Sequence, residues 1–221
     1  MAGKSVILAG FRHTVESPRR HYPEAELWMQ STSIRNWDWS IYDWSRWFDI
    51  HTVGPQAHYP GIQIQRPDVL EWYAKQGPER PIYLIERHPM VPASVSYLRD
   101  DVKAALPESV GRYGCQLDYM AATATCERFD RWILYGVGQP YVSEPDSKRA
   151  QTWMRVHGQF LWWLHVAQSR GVDVVFDGPN MFHPDVRGSE DPPAPLDGDY
   201  GYDMQSNQDF AHLKHEAREG Y

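Results

Sequence analysis

Basic charge, cysteine and long apolar runs are all scarce in this chain of 221 residues, and each scarcity closes off a class of protein. Lys and Arg number 22 against 29 Asp and Glu, a formal net charge of −7. Broad nonspecific attachment to nucleic acid needs clustered Lys and Arg, so DNA as a partner is disfavoured unless a small basic cleft serves it. The only two cysteines, Cys115 and Cys126, lie eleven residues apart in one expected helix. That spacing is too long for a disulfide and no CxxC pair exists, which points to a reduced, cytoplasmic compartment. No apolar run approaches the roughly 18 residues of a membrane span, and the N-terminus leads straight into a strand-like segment instead of a signal peptide. Neither GxGxxG nor GxxxxGK[ST] occurs, so a standard dinucleotide fingerprint and a P-loop are disfavoured. Internal repeats and low-complexity tracts are missing too.

What is present is a chain with 42% apolar residues, enough to cover both faces of a central sheet in one domain. Residues 6–10 (VILAG) read as a buried strand ending in a tight turn, and residues 25–30 (AELWMQ) as a second strand. Residues 48–53 (FDIHTV), 81–87 (PIYLIER), 131–137 (RWILYGV) and 172–176 (VDVVF) supply four more. Helices are expected over 66–75, 115–128 and 147–170, the last with Asp146 as N-cap and Gly171 as its stop. Strands alternating with helices imply crossover units and a mostly parallel sheet with helices on both faces. This is an α/β, single Rossmann-like three-layer domain over residues 1–182. Residues 183–221 are dense in Pro, Asp and Gly and read as an irregular tail with a short helix near 209–219.

In an open parallel sheet, ligands bind beyond the carboxyl ends of the strands. That rule selects Gly10, Phe11, Arg12 and His13 after the first strand, and Gln30, Ser31, Thr32 and Arg35 after the second. Glu86 and His88 follow the fourth. Arg12 and Arg35 suit bidentate phosphate binding, although single arginines are more often solvated surface groups. Asp49 and His51 alternate along a strand, so the carboxylate can orient the imidazole as a general base. A core histidine satisfied by an acid is the alternative. Glu86 is a second acid/base candidate, against a plain surface ion pair with Arg87.

Five tryptophans, Trp28, Trp37, Trp39, Trp44 and Trp47, crowd one stretch. They suit stacking of a flat ring, a homo-oligomer interface, or a hydrophobic lid with its own small core. Trp153, Phe160, Trp163 and Leu164 fall at helical spacing and pack on the sheet. Neither His157 with His165 nor His212 with His215 has a third partner that would make a metal site.

From Tyr113 to Pro140 the chain has a G/T-S-x-x-x-Y-M-type helix start, an Ala-rich helix and a strand ending L-Y-G-V. Further short motifs are V-I-L-A-G at 6–10, F-D-I-H at 48–51, Y-P-G at 59–61 and I-x-L-I-E ending at Glu86. P-x-S ending at Ser94 and A-x-S-R-G-V at 167–172 complete the series. In their order and spacing these resemble a phage-encoded Rossmann-like family related to pterin pyrophosphokinase-like domains, motility accessory factors and CMP-sialic-acid sialyltransferase-like proteins. The resemblance spans nearly all of residues 6–176. It implies that the helix start at Gly114, Cys115 and Gln116, together with Tyr141, holds a nucleotide phosphate. The chain departs from the pattern with Cys115 and Gln116 where Ser or Thr is usual. Gly138 stands in place of an acid, and Gly10-Phe-Arg-His13 replaces a Gly-x-Gly-Pro-Ser loop.

The expected function is therefore a nucleotide-dependent, glycosyltransferase-like transferase, phage-encoded and working in the host cytoplasm. It would use a nucleotide or nucleotide-sugar co-substrate on a small, nucleoside or modified-base acceptor, with no certain further cofactor. The rivals are a nucleoside or nucleotide hydrolase or deoxyribosyltransferase-like enzyme, a non-catalytic nucleotide-binding module, and a phage DNA-modifying enzyme with a base in DNA as acceptor, against which the low net basicity counts.

Overall fold

The computed structural model describes residues 3–10, 18–30, 43–50, 67–97, 99–109, 111–137 and 148–177. Seven strands occur among them: β1 (Ser5–Ala9), β2 (Glu26–Gln30), β3 (Arg46–Asp49), β4 (Ile82–Leu84), β5 (Ser94–Ser96), β6 (Arg131–Tyr135) and β7 (Asp173–Asp177). They form one sheet in the order β5-β4-β3-β2-β1-β6-β7, and every neighbouring pair is parallel. Among the described residues, four α-helices accompany it: α1 (Pro67–Ala74), α2 (Arg99–Ala105), α3 (Gln116–Cys126) and α4 (Lys148–Ser169). The domain has the expected α/β, Rossmann-like architecture.

Alternation along each strand divides the core in two. Ile7, Ala9, Leu27, Met29, Trp47, Ile82, Leu84, Ile133 and Tyr135 face the layer that contains Val69 and Tyr73 of α1. Val6, Leu8, Trp28, Phe48, Trp132 and Leu134 face α3 and α4. On α4, Phe160, Trp163, Leu164 and Ala167 recur at intervals of three and four, so one stripe of a long helix is buried. Gly171, at φ +79°, supplies the left-handed turn that releases the chain into β7. Helix α3 differs, being buried from Gln116 to Thr125 between the sheet, α2 and α4. Its alanines at 121, 122 and 124 let those neighbours approach closely.

Several expected bounds shift. The third strand starts earlier, at Arg46, and ends at Asp49, because Arg46 and Trp47 pair with β2 and β4. The fourth stops at Leu84 instead of Arg87, since residues 85 and 86 bend away. β5 and α2 were not expected at all. β5 is the three-residue stretch Ser-Val-Ser, with no apolar run to announce it, and it exists through its pairing with β4. The expected tail at 183–221 lies outside the described residues.

Several ion pairs gather at the sheet's N-terminal edge. Arg46 bridges Glu26 (2.9 Å) and makes a two-pronged contact with Glu127, while its guanidinium lies 4.6 Å from the Trp28 ring centroid. Lys4 reaches Glu127 at 3.2 Å and its ammonium sits 3.8 Å from the Phe129 centroid. Arg131 pairs with Asp173 at 3.1 Å. These groups tie the starts of β1, β2, β3, β6 and β7 to the end of α3.

Candidate functional site at the carboxyl edge of the sheet

The strand order reverses between β1 and β6: β2 to β5 extend to one side of β1, while β6 and β7 lie on the other. Such a reversal is where an open parallel sheet leaves a crevice for ligands. Helix α3 precedes β6, so it runs down the sheet and its N-terminus opens at the same edge where the strands end. Side chains gathered at this edge include Gln30, Asp49, Gln116 and Asp118, all buried.

Gly10 lies at the centre of the reversal. Its amide donates to the Tyr135 carbonyl at 2.8 Å, extending the β1–β6 ladder by one residue. A Cβ placed there would stand 2.2 Å from the Gly136 carbonyl oxygen and 2.6 Å from Val137 Cα. Glycine is thus demanded by main chain meeting main chain, and Gly136 itself turns at φ +61°. The floor between β1 and β6 consists of backbone.

At the start of α3, Cys115 is the N-cap, with extended φ −153° and ψ 175°. The Gly114 and Cys115 amides donate to Asp118 Oδ2 at 2.6 and 2.8 Å. A carboxylate at the third helical position therefore occupies the amides where the resemblance would set a phosphate. Burial is the largest influence on that carboxyl and lifts it to about 7 against the pull of the two amides. Its other oxygen, Oδ1, is buried and accepts no bond among the described residues. Burial, then the neighbouring Asp118, pushes the Cys115 thiol well above its ordinary range, so it is not a poised nucleophile. Gln116 is buried.

Asp49 ends β3 on the face toward α1. Tyr73 of α1 donates its hydroxyl to Asp49 Oδ2 at 2.8 Å and accepts from Trp47 Nε1 at 3.0 Å. Burial and the adjacent carboxylate hold the Tyr73 phenol far above its usual range, so it stays a proton donor. Asp49 is in this way fixed in place. Glu86 is exposed on the bend after β4. His88 is half-buried, its amide bonded to Ser94 Oγ at 3.1 Å and its Nδ1 accepting from the Met90 amide at 3.3 Å. That contact leaves Nε2 as the nitrogen available to a ligand.

Gly10, Asp49, Glu86, His88, Cys115 and Gln116 thus all lie at the carboxyl edge, spread from β4 across to the α3 start. Phe11, Arg12, His13, Ser31, Thr32, Arg35, His51 and Tyr141 lie outside the described residues, as do Trp37 and Trp39. Of the other tryptophans, Trp28 belongs to one core layer and Trp44 and Trp47 to the opposite one. They sit in the main core, neither in a separate lid nor in a position to stack a ligand. Polar residues at the edge that went unread in the sequence include Tyr73 and Asp118, whereas Gln30 is among the strand-end candidates and is found there, buried. Asp118 had a recognisable signal, an acid three positions after the N-cap, masked because cysteine stands where a capping box usually has Ser or Thr.

Among the described residues, no group of three His, Cys, Asp or Glu side chains is arranged to hold a metal ion. No helix among them is long and apolar enough to cross a membrane. No family model matches the chain, and no curated protein or solved structure shows a significant match to it.

Proposed function

We propose that this protein is a nucleotide-dependent transferase of the glycosyltransferase-like kind, taking a nucleotide or nucleotide-sugar donor at the carboxyl edge of its sheet. The observation that carries the reading is the reversal of strand order between β1 and β6, with the α3 N-terminus opening at the same edge. Buried polar side chains gathered there support it, since burial of such groups costs stability unless they serve structure or a ligand. Arg12 and Arg35, which follow β1 and β2 in sequence, are the candidate phosphate partners. His51 is the candidate general base, with Asp49 two residues before it. Positioning the acceptor and stabilising the leaving phosphate would supply most of the rate.

A second reading, a nucleotide-binding module without turnover, draws on the locked Asp49–Tyr73–Trp47 chain, a structural use of the carboxylate. A thermal-shift panel of nucleotides and nucleotide sugars, followed by product analysis on any hit, tests both. A stabilising nucleotide sugar that is consumed in the presence of an acceptor supports the transferase. A stabilising nucleotide without turnover supports the module. A panel in which nothing raises the melting temperature defeats both.

A further inference from the structure

The acidic side chains at the carboxyl edge differ in what they can reach. Asp49 and Asp118 are wholly buried, one bonded to Tyr73 and the other to the α3 amides. Glu86 is exposed but follows β4, three strands from β1, which is about 14 Å at ordinary strand spacing. Asp100 and Asp101 open α2, which follows β5, further still. Asp177 ends β7, and β7 adjoins β6, so this carboxylate stands only about 5 Å beyond the β6 side of the reversal. It is half-exposed. Its register partner is Tyr135, itself the partner of Ala9, so all three share the face toward α1. The Tyr22 hydroxyl donates to the Asp177 carboxylate; burial, then that bond, hold the phenol above its usual range, so Tyr22 stays a donor. Arg131, which also approaches Tyr22, belongs to the opposite end of β6 and is paired with Asp173 at 3.1 Å.

The two sides of the crevice therefore differ in charge. Arg12 and Arg35 follow β1 and β2 in sequence, whereas the β7 side ends in an anion. A phosphate beside Asp177 would be repelled, while a hydroxyl would meet a strong hydrogen-bond acceptor. Resting on the nucleotide reading above, we infer that the β6–β7 end of the crevice is the acceptor subsite, where Asp177 accepts a hydrogen bond from the acceptor's hydroxyl. The class it takes is a neutral, hydroxyl-bearing molecule such as a free sugar or nucleoside. The same carboxylate turns away the phosphorylated forms of these molecules, a discrimination by repulsion as well as by contact.

Transfer assays on the full chain test the assignment, with UDP-, GDP- and CMP-linked sugars as donors. Free sugars, ribonucleosides and the phosphates of both serve as acceptors, and donor binding is followed separately by isothermal titration. The wild type is expected to use an unphosphorylated acceptor about tenfold better in kcat/KM than its phosphate. Asp177→Asn, which keeps the shape and removes the charge, should raise the acceptor KM about tenfold, the size of one hydrogen bond to a charged group. It should leave the donor Kd unchanged and narrow the gap between free and phosphorylated acceptors. If Asp177→Asn does not fold, the wild-type comparison of each acceptor with its phosphate still decides. A wild type that uses phosphorylated acceptors as well as free ones overturns the assignment, as does a folded Asp177→Asn with an unchanged acceptor KM. A protein that binds a donor and transfers to none of these acceptors overturns it while the nucleotide reading stands. One that binds no donor overturns both.

Discussion

Replacing Asp118 by asparagine isolates a single buried charge. In the native protein Asp118 Oδ2 accepts the Gly114 and Cys115 amides, while Oδ1 is buried without a partner among the described residues. Two opposed influences act on this carboxyl. The amides at the helix start favour the ionised form, whereas removal from water favours the neutral one. Burial wins, and the group titrates near 7 instead of 3.8. Since the folded state holds this proton more tightly than the unfolded state, its contribution to stability is complete below the unfolded value. It is lost as pH rises toward the folded one.

Between pH 5 and pH 8 that loss amounts to about 2–3 kcal/mol, from 1.36 kcal/mol for each unit separating the two states. Asparagine keeps an oxygen for the amides and has no proton to lose. Urea unfolding followed by tryptophan fluorescence, run on both proteins at pH 5, 6, 7 and 8, gives the difference directly. Contributions of other titrating groups cancel in it. Asp118→Asn should gain on the wild type by about 2–3 kcal/mol across the range, with most of the change below pH 7. A difference that stays flat with pH would mean that Asp118 ionises like an ordinary surface carboxyl, and the account of α3 as a helix capped by a neutralisable acid would fall.

Three other perturbations follow from the geometry. Gly10→Ala forces a methyl group against the Gly136 carbonyl and should cost about 2 kcal/mol or more, read as a drop in the urea midpoint. Tyr73→Phe removes the hydroxyl that serves both Asp49 and Trp47; a loss of about 1–3 kcal/mol is expected, and a double-mutant cycle with Asp49→Asn should show coupling instead of additivity. Arg46→Met strips Glu127 and Glu26 of their shared cation and should cost about 2 kcal/mol, with Arg46→Lys recovering little of it because an ammonium cannot fork to Glu127.

Strands such as β1, β2 and β6 were legible because each is a near-continuous apolar run, the pattern a sheet covered on both faces demands. The long α4 was legible through its stripe and its glycine stop. β5 was not, because three residues carry no period and its identity as a strand comes from hydrogen bonds to β4. The start of β3 was missed for a related reason. Arg46 and Trp47 look like the end of a polar, aromatic loop, yet Arg46 has acids waiting on β2 and α3 and Trp47 has a tyrosine waiting on α1. The same limit applies to the site. Rules about strand ends locate Gly10 and Asp49, but Tyr73 enters only through a helix that arrives from elsewhere in the chain.

The two edges of the sheet divide the labour in a way no single stretch of sequence displays. At the amino edge, Lys4, Arg46 and Arg131 are matched by Glu26, Glu127 and Asp173, with opposite charges within 3.2 Å. At the carboxyl edge the buried Asp118 is answered instead, among the described residues, by neutral donors, two main-chain amides. A carboxylate paired with a cation is a settled structural group. One held only by neutral donors keeps its negative charge uncompensated and its proton affinity sensitive to what arrives beside it. Ligand-induced changes in proton uptake should therefore be governed by Asp118→Asn and left unaltered by Arg46→Met. Titrating the same ligand in buffers of different ionisation enthalpy measures that uptake. Equal proton uptake in the wild type and Asp118→Asn would show that the carboxyl edge does not sense its ligand through this acid.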